Sequence, residues 1–267
     1  MKSLLIDEFG AVIRYHEVAG DGPTIVYLAA VAFPSLPTFL PVATDPSLRS
    51  HHALFVDYFG VGHSEHPTDF DHSLLNHAKT VACVLDHEGL RDCIVVGHSM
   101  GGTVGIYLAI QRPELVSHLV VCEGNIATGG GVGTRYFTSV SEGEFVSTFF
   151  PQFLARSREA GKDGDDYAYW RGGAWDNADY AGIYRQCAAL VNLDPEFKQA
   201  FLSLPTKRTF VYGEEDLPEK TGEIKADAPD PDELKAHGVS VAVVPGVGHS
   251  MMIPNPSGFA EVLDAAL

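Results

Sequence analysis

The chain has 267 residues, 45% of them hydrophobic and 20% charged, enough for one large α/β domain or a core with an inserted subdomain. Its formal charge of −17 comes from 35 acidic against 18 basic side chains, a surface that repels phosphate backbones and anionic lipid. Nucleic acid and membranes are therefore excluded as expected partners, which leaves a small-molecule substrate; composition is silent on oligomeric state. The Met1-Lys2-Ser3-Leu4-Leu5 start lacks the apolar run of a signal peptide, and no stretch of about 18 apolar residues occurs, so a cytoplasmic location is expected. The 12 histidines are scattered, and His51-His52 and His63-x-x-His66 have no cysteine or carboxylate cluster at ligand spacing. No metal or other cofactor is expected. Cys83, Cys93, Cys122 and Cys187 show no Cys-x-x-Cys spacing, and Cys93 and Cys122 read as small apolar core residues.

Residues 2–8 and 11–18 alternate apolar and polar about Gly10, the pattern of an antiparallel hairpin. After the Asp21-Gly22-Pro23 turn, Thr24–Ala30 reads as a buried strand, followed by a proline-rich loop from Val31 to Pro37. Ala53–Asp57 is another apolar strand and runs into a glycine-punctuated loop over residues 57–64. Leu74–Glu88 has helical spacing, with Leu75, Ala78, Val81, Ala82 and Leu85 on one face and Gly89 as a stop. Cys93–Gly97 is a strand, Thr103–Gln111 a helix apolar nearly all round, and Arg112-Pro113-Glu114 a break. His118–Cys122 is a strand that ends at Glu123-Gly124-Asn125.

From Ile126 to Pro205 no buried strand occurs. Gly129-Gly130-Gly131 forms a hinge, and aromatic-rich helical pieces follow, carrying both tryptophans. Strands resume at Arg208–Gly213 and Val239–Val244, separated by a polar loop over 217–231 and a short helix at Asp232–His237. Pro256–Leu267 closes the chain as an amphipathic helix. Strands alternating with helices, the later ones apolar without a period of two, predict an α/β fold: a mostly parallel eight-stranded sheet with helices on both faces. Residues 1–125 and 206–267 form the expected core, and 126–205 an inserted helical cap.

In such a sheet, functional residues belong at the carboxyl ends of the strands. Those ends carry Ala30-Val31, Asp57, Ser99, Glu123, Glu214 to Asp216, and His249. Ser99 lies in a Gly-x-Ser-x-Gly turn between strand and helix, where a serine is held in a strained backbone with its hydroxyl exposed. The helix that starts beside it aims backbone N–H groups at an oxyanion. Ser99 as nucleophile needs a base, for which His249 is the candidate, and the base needs a buried carboxylate to hold its tautomer. Glu123 and Asp216 compete for that place. Glu123 is preferred, because a glutamate at a buried strand end requires a partner, whereas Asp216 precedes a polar loop and can be solvated. The oxyanion donors expected are the N–H of Met100 and that of Val31, with Ala30 as the alternative to Val31. His98 is expected to pack beside the turn, and Asp57, Gly60, Gly62 and Ser64 to shape a loop near the site.

These motifs carry a family resemblance. Gly97-His98-Ser99-Met100-Gly101-Gly102, the Asp-x-x-Gly-x-Gly-x-Ser loop at 57–64, Val247-Gly248-His249 and the insertion after Glu123 together resemble the α/β-hydrolases across essentially the whole chain. The resemblance implies a triad in the order serine, acid, histidine. It leaves both acids open: the family's commonest acid sits at the offset of Asp216, while some members, including the fungal lactonase that opens zearalenone, carry a glutamate at the place of Glu123. Many relatives have His-Gly where this chain has Ala29-Ala30-Val31, but backbone donors do not need those side chains. Relatives that cleave epoxides or carbon–halogen bonds attack with aspartate, so a serine disfavours those chemistries. The expected activity is that of a carboxylic ester hydrolase, an esterase or lactonase working on a mainly apolar small molecule through an acyl-enzyme on Ser99. Phe33, Phe149, Trp170, Trp175 and Tyr180 are the expected substrate-binding side chains. The alternatives are a cofactor-free perhydrolase or haloperoxidase, a carbon–carbon bond hydrolase using the same residues, and a non-catalytic ligand-binding receptor.

Overall fold

The computed structural model describes residues 1–267. The strands are β1 (Lys2–Ile6), β2 (Ala11–Val18), β3 (Gly22–Leu28), β4 (His51–Asp57), β5 (Cys93–His98), β6 (Val116–Cys122), β7 (Lys207–Gly213) and β8 (Ser240–Val244). They form one eight-stranded sheet in the order β1-β2-β4-β3-β5-β6-β7-β8. β2 pairs antiparallel with both β1 and β4, and all other pairings are parallel. Parallel strands need crossovers, and helices supply them: α1 (Ser35–Ala43), α2 (Leu74–His87) and α3 (Met100–Gln111) between the first strands.

Side chains of successive strand residues point to opposite faces, and here both faces are apolar. Val26, Leu28, Val95 and Val121 join one core, together with Val81 of α2 and Val104 of α3. Ile25, Tyr27, Val96 and Val120 join a second core on the other face, with Phe39 of α1. Each side chain so buried contributes roughly 1.5–3 kcal/mol over exposure. The strand tips that carry the site are therefore held on a rigid frame.

The chain leaves the sheet after β6 and returns at β7. In between lie α4 (Val132–Phe137), α5 (Glu142–Glu144), α6 (Phe150–Lys162), α7 (Asp166–Ala174), α8 (Tyr180–Val191) and α9 (Phe197–Leu202), with no strand among them. Phe137, Phe145, Phe150 and Trp175 pack ring on ring, with Phe150 lying 5.1 Å from Phe145 and 5.6 Å from Trp175. These rings merge with the core on the α1 side of the sheet. The remaining helices are α10 (Pro218–Thr221), α11 (Pro231–Ala236) and α12 (Pro256–Ala266), the last packed against α1.

Two elements depart from the sequence reading: α10 falls within the 217–231 stretch expected as a loop, and α1 begins within another. The proline-rich segment expected as a loop turns into α1 at Ser35 and continues through Pro37 and Pro41. Proline in the first turn of a helix is tolerated because the N–H it lacks has no intrahelical acceptor there. The start of α1 is also anchored from outside. The Ser35 N–H donates to Asp57 Oδ1 at 2.8 Å, and the Ser35 hydroxyl donates to the Val56 carbonyl at 2.7 Å. Loop chemistry in the sequence was thus overridden by a buried carboxylate 22 residues away.

The turn after β5 is packed without slack. A Cβ on Gly101 would stand 2.0 Å from the Leu28 carbonyl oxygen, a backbone atom that cannot step aside. Gly101→Ala should therefore destabilise the fold by about 1–3 kcal/mol or more, read as a lower urea midpoint. An unchanged midpoint would mean that α3 and β3 are not in close contact.

Candidate active site

β5 brings the chain to the sheet's carboxyl edge, and Ser99 makes the turn into α3 with φ 52 and ψ −118. A side chain in that region costs about 1–3 kcal/mol and persists only where the surroundings impose it. They do so here: the Ser99 N–H donates to the Cys122 carbonyl at 2.9 Å, and the Ser99 carbonyl accepts from the Gly102 N–H at 2.9 Å. Of five non-glycine residues with positive φ, three sit at this edge, namely Ala32, Ser99 and Glu123. Met100 opens α3, so its N–H belongs to the first turn, whose donors have no intrahelical partner.

His249 follows β8 on a loop with Gly246 at φ +66. Its ring Nδ1–H donates to Glu123 Oε2 at 2.7 Å. The other carboxylate oxygen, Oε1, accepts the Gly213 N–H at 2.7 Å. Glu123 itself is 1% exposed. It stands one residue beyond the end of β6, and its N–H donates to the Val211 carbonyl at 3.1 Å. Burial pushes its carboxyl above the ordinary range, against the two hydrogen bonds that favour the charged form. For His249, desolvation lowers the pKa, but the Glu123 hydrogen bond and the charges of Glu123, Asp227 and Asp216 outweigh it and leave the pKa raised. Asp216 lies on a turn after β7, half-buried, and it shares the cavity with His249 without being the carboxylate on its ring.

Ser99, Glu123 and His249 line a cavity of about 300 Å³, together with Ala30, Val31 and His98. That is the small end of the ~300–1,000 Å³ range of small-molecule sites. The Ser99 hydroxyl makes no hydrogen bond to the imidazole in this state, a contact that commonly closes only with substrate bound. A hydroxyl, an imidazole and a buried carboxylate so grouped can pass a proton from the hydroxyl to the ring and stabilise the resulting imidazolium. No group of three or more His, Cys, Asp or Glu side chains is placed to hold a metal ion. No helix is long and apolar enough to cross a membrane.

The model of the alpha/beta hydrolase family matches residues 24–262. The chain belongs to the α/β-hydrolase family. Among curated proteins, a putative carbamate hydrolase of Pseudomonas savastanoi is 36% identical over 73 residues, which cover 27% of this chain and 28% of that one. An sn-1-specific diacylglycerol lipase of Mus musculus is 34% identical over 114 residues, 42% of this chain and 36% of the lipase. These matches thus span only about a third of the relatives' length. Among solved structures, a carboxylesterase of the thaumarchaeon Nitrososphaera gargenis superposes with a TM-score of 0.80 at 14% identity, covering 99% of this chain and 97% of that one. The enol-lactonase of Burkholderia xenovorans gives 0.79 at 15% identity, with 99% of each chain covered. At such identities these structures establish the shared fold.

In this α/β-hydrolase the side chains expected in the pocket divide into two sets. Phe33 and Trp175 line the cavity. Phe149, Trp170 and Tyr180, expected there as well, are not among its lining residues. Trp170 stacks on Phe33 at 4.5 Å, Tyr180 meets Phe150 edge-on at 4.9 Å, and Phe149 packs on Tyr136 at 4.9 Å. The physical reason is that a small helical insertion must first build its own core, and only one face of each helix reaches the sheet edge. The cavity takes Phe137 and Tyr167 from the insertion instead, with Asn125 and Thr134, and Lys225 and Asp227 from the loop after β7. The Glu123-Gly124-Asn125 run was a visible signal for Asn125. Nothing in the sequence marks Lys225 or Asp227, which sit in a stretch that reads as solvent-exposed loop.

Two further residues gain structural roles. Asp57 is buried and accepts from the Ser35 and His63 N–H groups at 2.8 and 3.4 Å; burial pushes its carboxyl up to about 6 against those bonds. It thus anchors α1, the helix that follows the Ala30-Val31 wall. His98 packs against His249, with ring centroids 4.9 Å apart. It also donates Nε2–H to the His249 carbonyl at 2.8 Å, a bond that no sequence pattern foretold.

Proposed function

We propose that this hydrolase cleaves a neutral carboxylic ester or lactone of a small, mainly apolar molecule through an acyl intermediate on Ser99. The observation that carries the reading is the 2.7 Å bond between His249 Nδ1 and Glu123 Oε2, made on the cavity that the strained Ser99 also lines. With Nδ1–H committed to Glu123, the Nε2 lone pair is the free acceptor of the ring. His249 takes the Ser99 proton as the hydroxyl oxygen bonds to the substrate carbonyl carbon. The tetrahedral oxyanion is received by the Met100 N–H and a donor at Val31 or Ala30. As the carbon–oxygen bond breaks, the imidazolium gives its proton to the departing alkoxide. A water then repeats the sequence: His249 removes its proton, the acyl–Ser99 bond breaks, and Ser99 is restored. Relatives named as a carboxylesterase and an enol-lactonase share the fold and accord with acyl transfer to water.

The charge on the wall supports a neutral substrate. Asp216 and Asp227 face the cavity, and the one cation there, Lys225, is held 3.6 Å from Glu223. A carboxylate-bearing ester should therefore be the poorer substrate. The native protein is expected to be labelled at Ser99 by a fluorophosphonate, and to turn over p-nitrophenyl butyrate with a kcat/KM at least about tenfold above that for the anionic p-nitrophenyl hemisuccinate, about 1.4 kcal/mol of discrimination. Absence of label on Ser99 would sink the acyl-enzyme; equal turnover of the two esters would sink the charge argument.

A further inference from the structure

His98 and Ser99 are consecutive, yet they belong to different parts of the site. Ser99 offers its hydroxyl to the cavity, while His98 turns its ring to the loop that carries His249, 151 residues away. That loop contains Gly246 at φ +66 and Gly248, so its backbone has little stiffness of its own. Several contacts hold its neighbours: the Gly246 N–H donates to Glu214 Oε2 at 2.9 Å, the Val247 carbonyl accepts from the Glu215 N–H at 3.0 Å, and Tyr167 and Ser250 share a hydroxyl bond of 3.0 Å. Glu123 holds the His249 ring. The bond from His98 is made to the backbone of His249 itself.

The chemistry of that bond suits a fixed anchor. A carbonyl oxygen only accepts, so His98 carries its proton on Nε2. His98 is 3% exposed, and burial holds its pKa down to about 3, so it stays neutral wherever His249 changes charge. It can thus hold the base in place without switching.

We infer that His98 is a positioning residue: by gripping the His249 carbonyl it fixes the imidazole relative to the hydroxyl of the very next residue, Ser99. One turn of backbone then sets both partners of the proton transfer. The inference rests on the reading of Ser99 and His249 as nucleophile and base. Loss of the grip lets the loop shift, and displacements of an ångström between reacting groups cost on the order of 100-fold in rate.

The test compares His98→Phe, which keeps a ring but removes the donor, with His98→Gln, whose Nε2–H can reach the same carbonyl. Ser99→Ala is assayed beside them on p-nitrophenyl butyrate, with melting temperature and fluorophosphonate labelling rate measured for each. The expected result for His98→Phe is a kcat about 10- to 100-fold lower, KM little changed and labelling slowed in parallel. His98→Gln should recover most of the rate. A native kcat in His98→Phe overturns the inference. So does an equal loss in both variants, because it assigns the effect to ring shape rather than to the donor. Should His98→Phe not fold, His98→Met removes the donor in a flexible side chain and is read in the same way. Full turnover in Ser99→Ala would strike the underlying mechanism instead, and so is told apart from failure of the His98 role.

Discussion

Ser99→Ala is expected to lower kcat on p-nitrophenyl butyrate by about 10⁵- to 10⁶-fold, the scale of loss when a serine nucleophile is removed from an enzyme of this kind. Alanine keeps the Cβ and the backbone at φ 52, so the turn, the Ser99-to-Cys122 backbone bond and the start of α3 remain. What disappears is the oxygen proposed to bond to the substrate carbon. Melting temperature should therefore hold while turnover collapses. Residual hydrolysis would come from water attacking a substrate still polarised by the oxyanion donors, which alone give a modest enhancement. A variant that keeps turnover within tenfold of native would remove Ser99 from the chemistry.

The second large effect concerns the carboxylate. Glu123→Gln should cost about 10³- to 10⁴-fold in kcat. The reason is a tautomer and not a distance. A glutamine at this site still meets the Gly213 N–H with its oxygen, which turns its NH₂ toward the His249 ring. Nδ1 must then accept, Nε2 must carry the hydrogen, and the lone pair needed to deprotonate Ser99 is gone. The pH profile gives a second readout. On the proposed mechanism His249 acts when neutral; its pKa is raised chiefly through Glu123, so the acid limb of kcat/KM is expected above the ordinary imidazole range. Removing the Glu123 charge lowers that pKa and moves the limb of the residual activity to lower pH. Asp216→Asn should shift the limb in the same direction, because its charge also raises His249, but should cost less than about tenfold in rate. If Asp216→Asn proved the more damaging of the two, the acid would have to be reassigned.

The strands and the turn at Ser99 were legible because their signals are local. Apolar runs such as Ile94-Val95-Val96 specify a strand buried on both faces, and glycines at 97 and 101 specify a close strand-to-helix passage. α1 was not legible, because its start depends on Asp57, and no local pattern announces an anchor supplied from a neighbouring strand. The preference for Glu123 over Asp216 rested on the general cost of a buried charge without a partner, and not on any local pattern. Both acids follow parallel strands at the same edge. Their difference lies in orientation: Glu123 takes φ +47, directly after β6, and reaches across β7 to the ring. An extended-backbone assumption would not have placed it there. The pocket lining was the least legible of all. Phe137 and Trp175 reach the cavity while Phe149 and Trp170 do not, a distinction set by how the helices of the insertion roll against one another.

The two oxygens of Glu123 have a bearing on how the molecule comes together. Their partners, Gly213 and His249, lie 90 and 126 positions further along, beyond the helical insertion. Until β7 docks, β6 is an edge strand, and neither oxygen of this carboxylate has its partner. The segments on either side of the insertion are thus tied into one unit, by the pairing of β6 with β7 and by this carboxylate. Contacts so distant along the chain carry a large loop-closure cost, and on the proposed mechanism they complete the sheet and the proton relay together. On the proposed mechanism the nucleophile is made well before its base during synthesis, so hydrolytic competence is expected only once the His249 loop after β8 has docked.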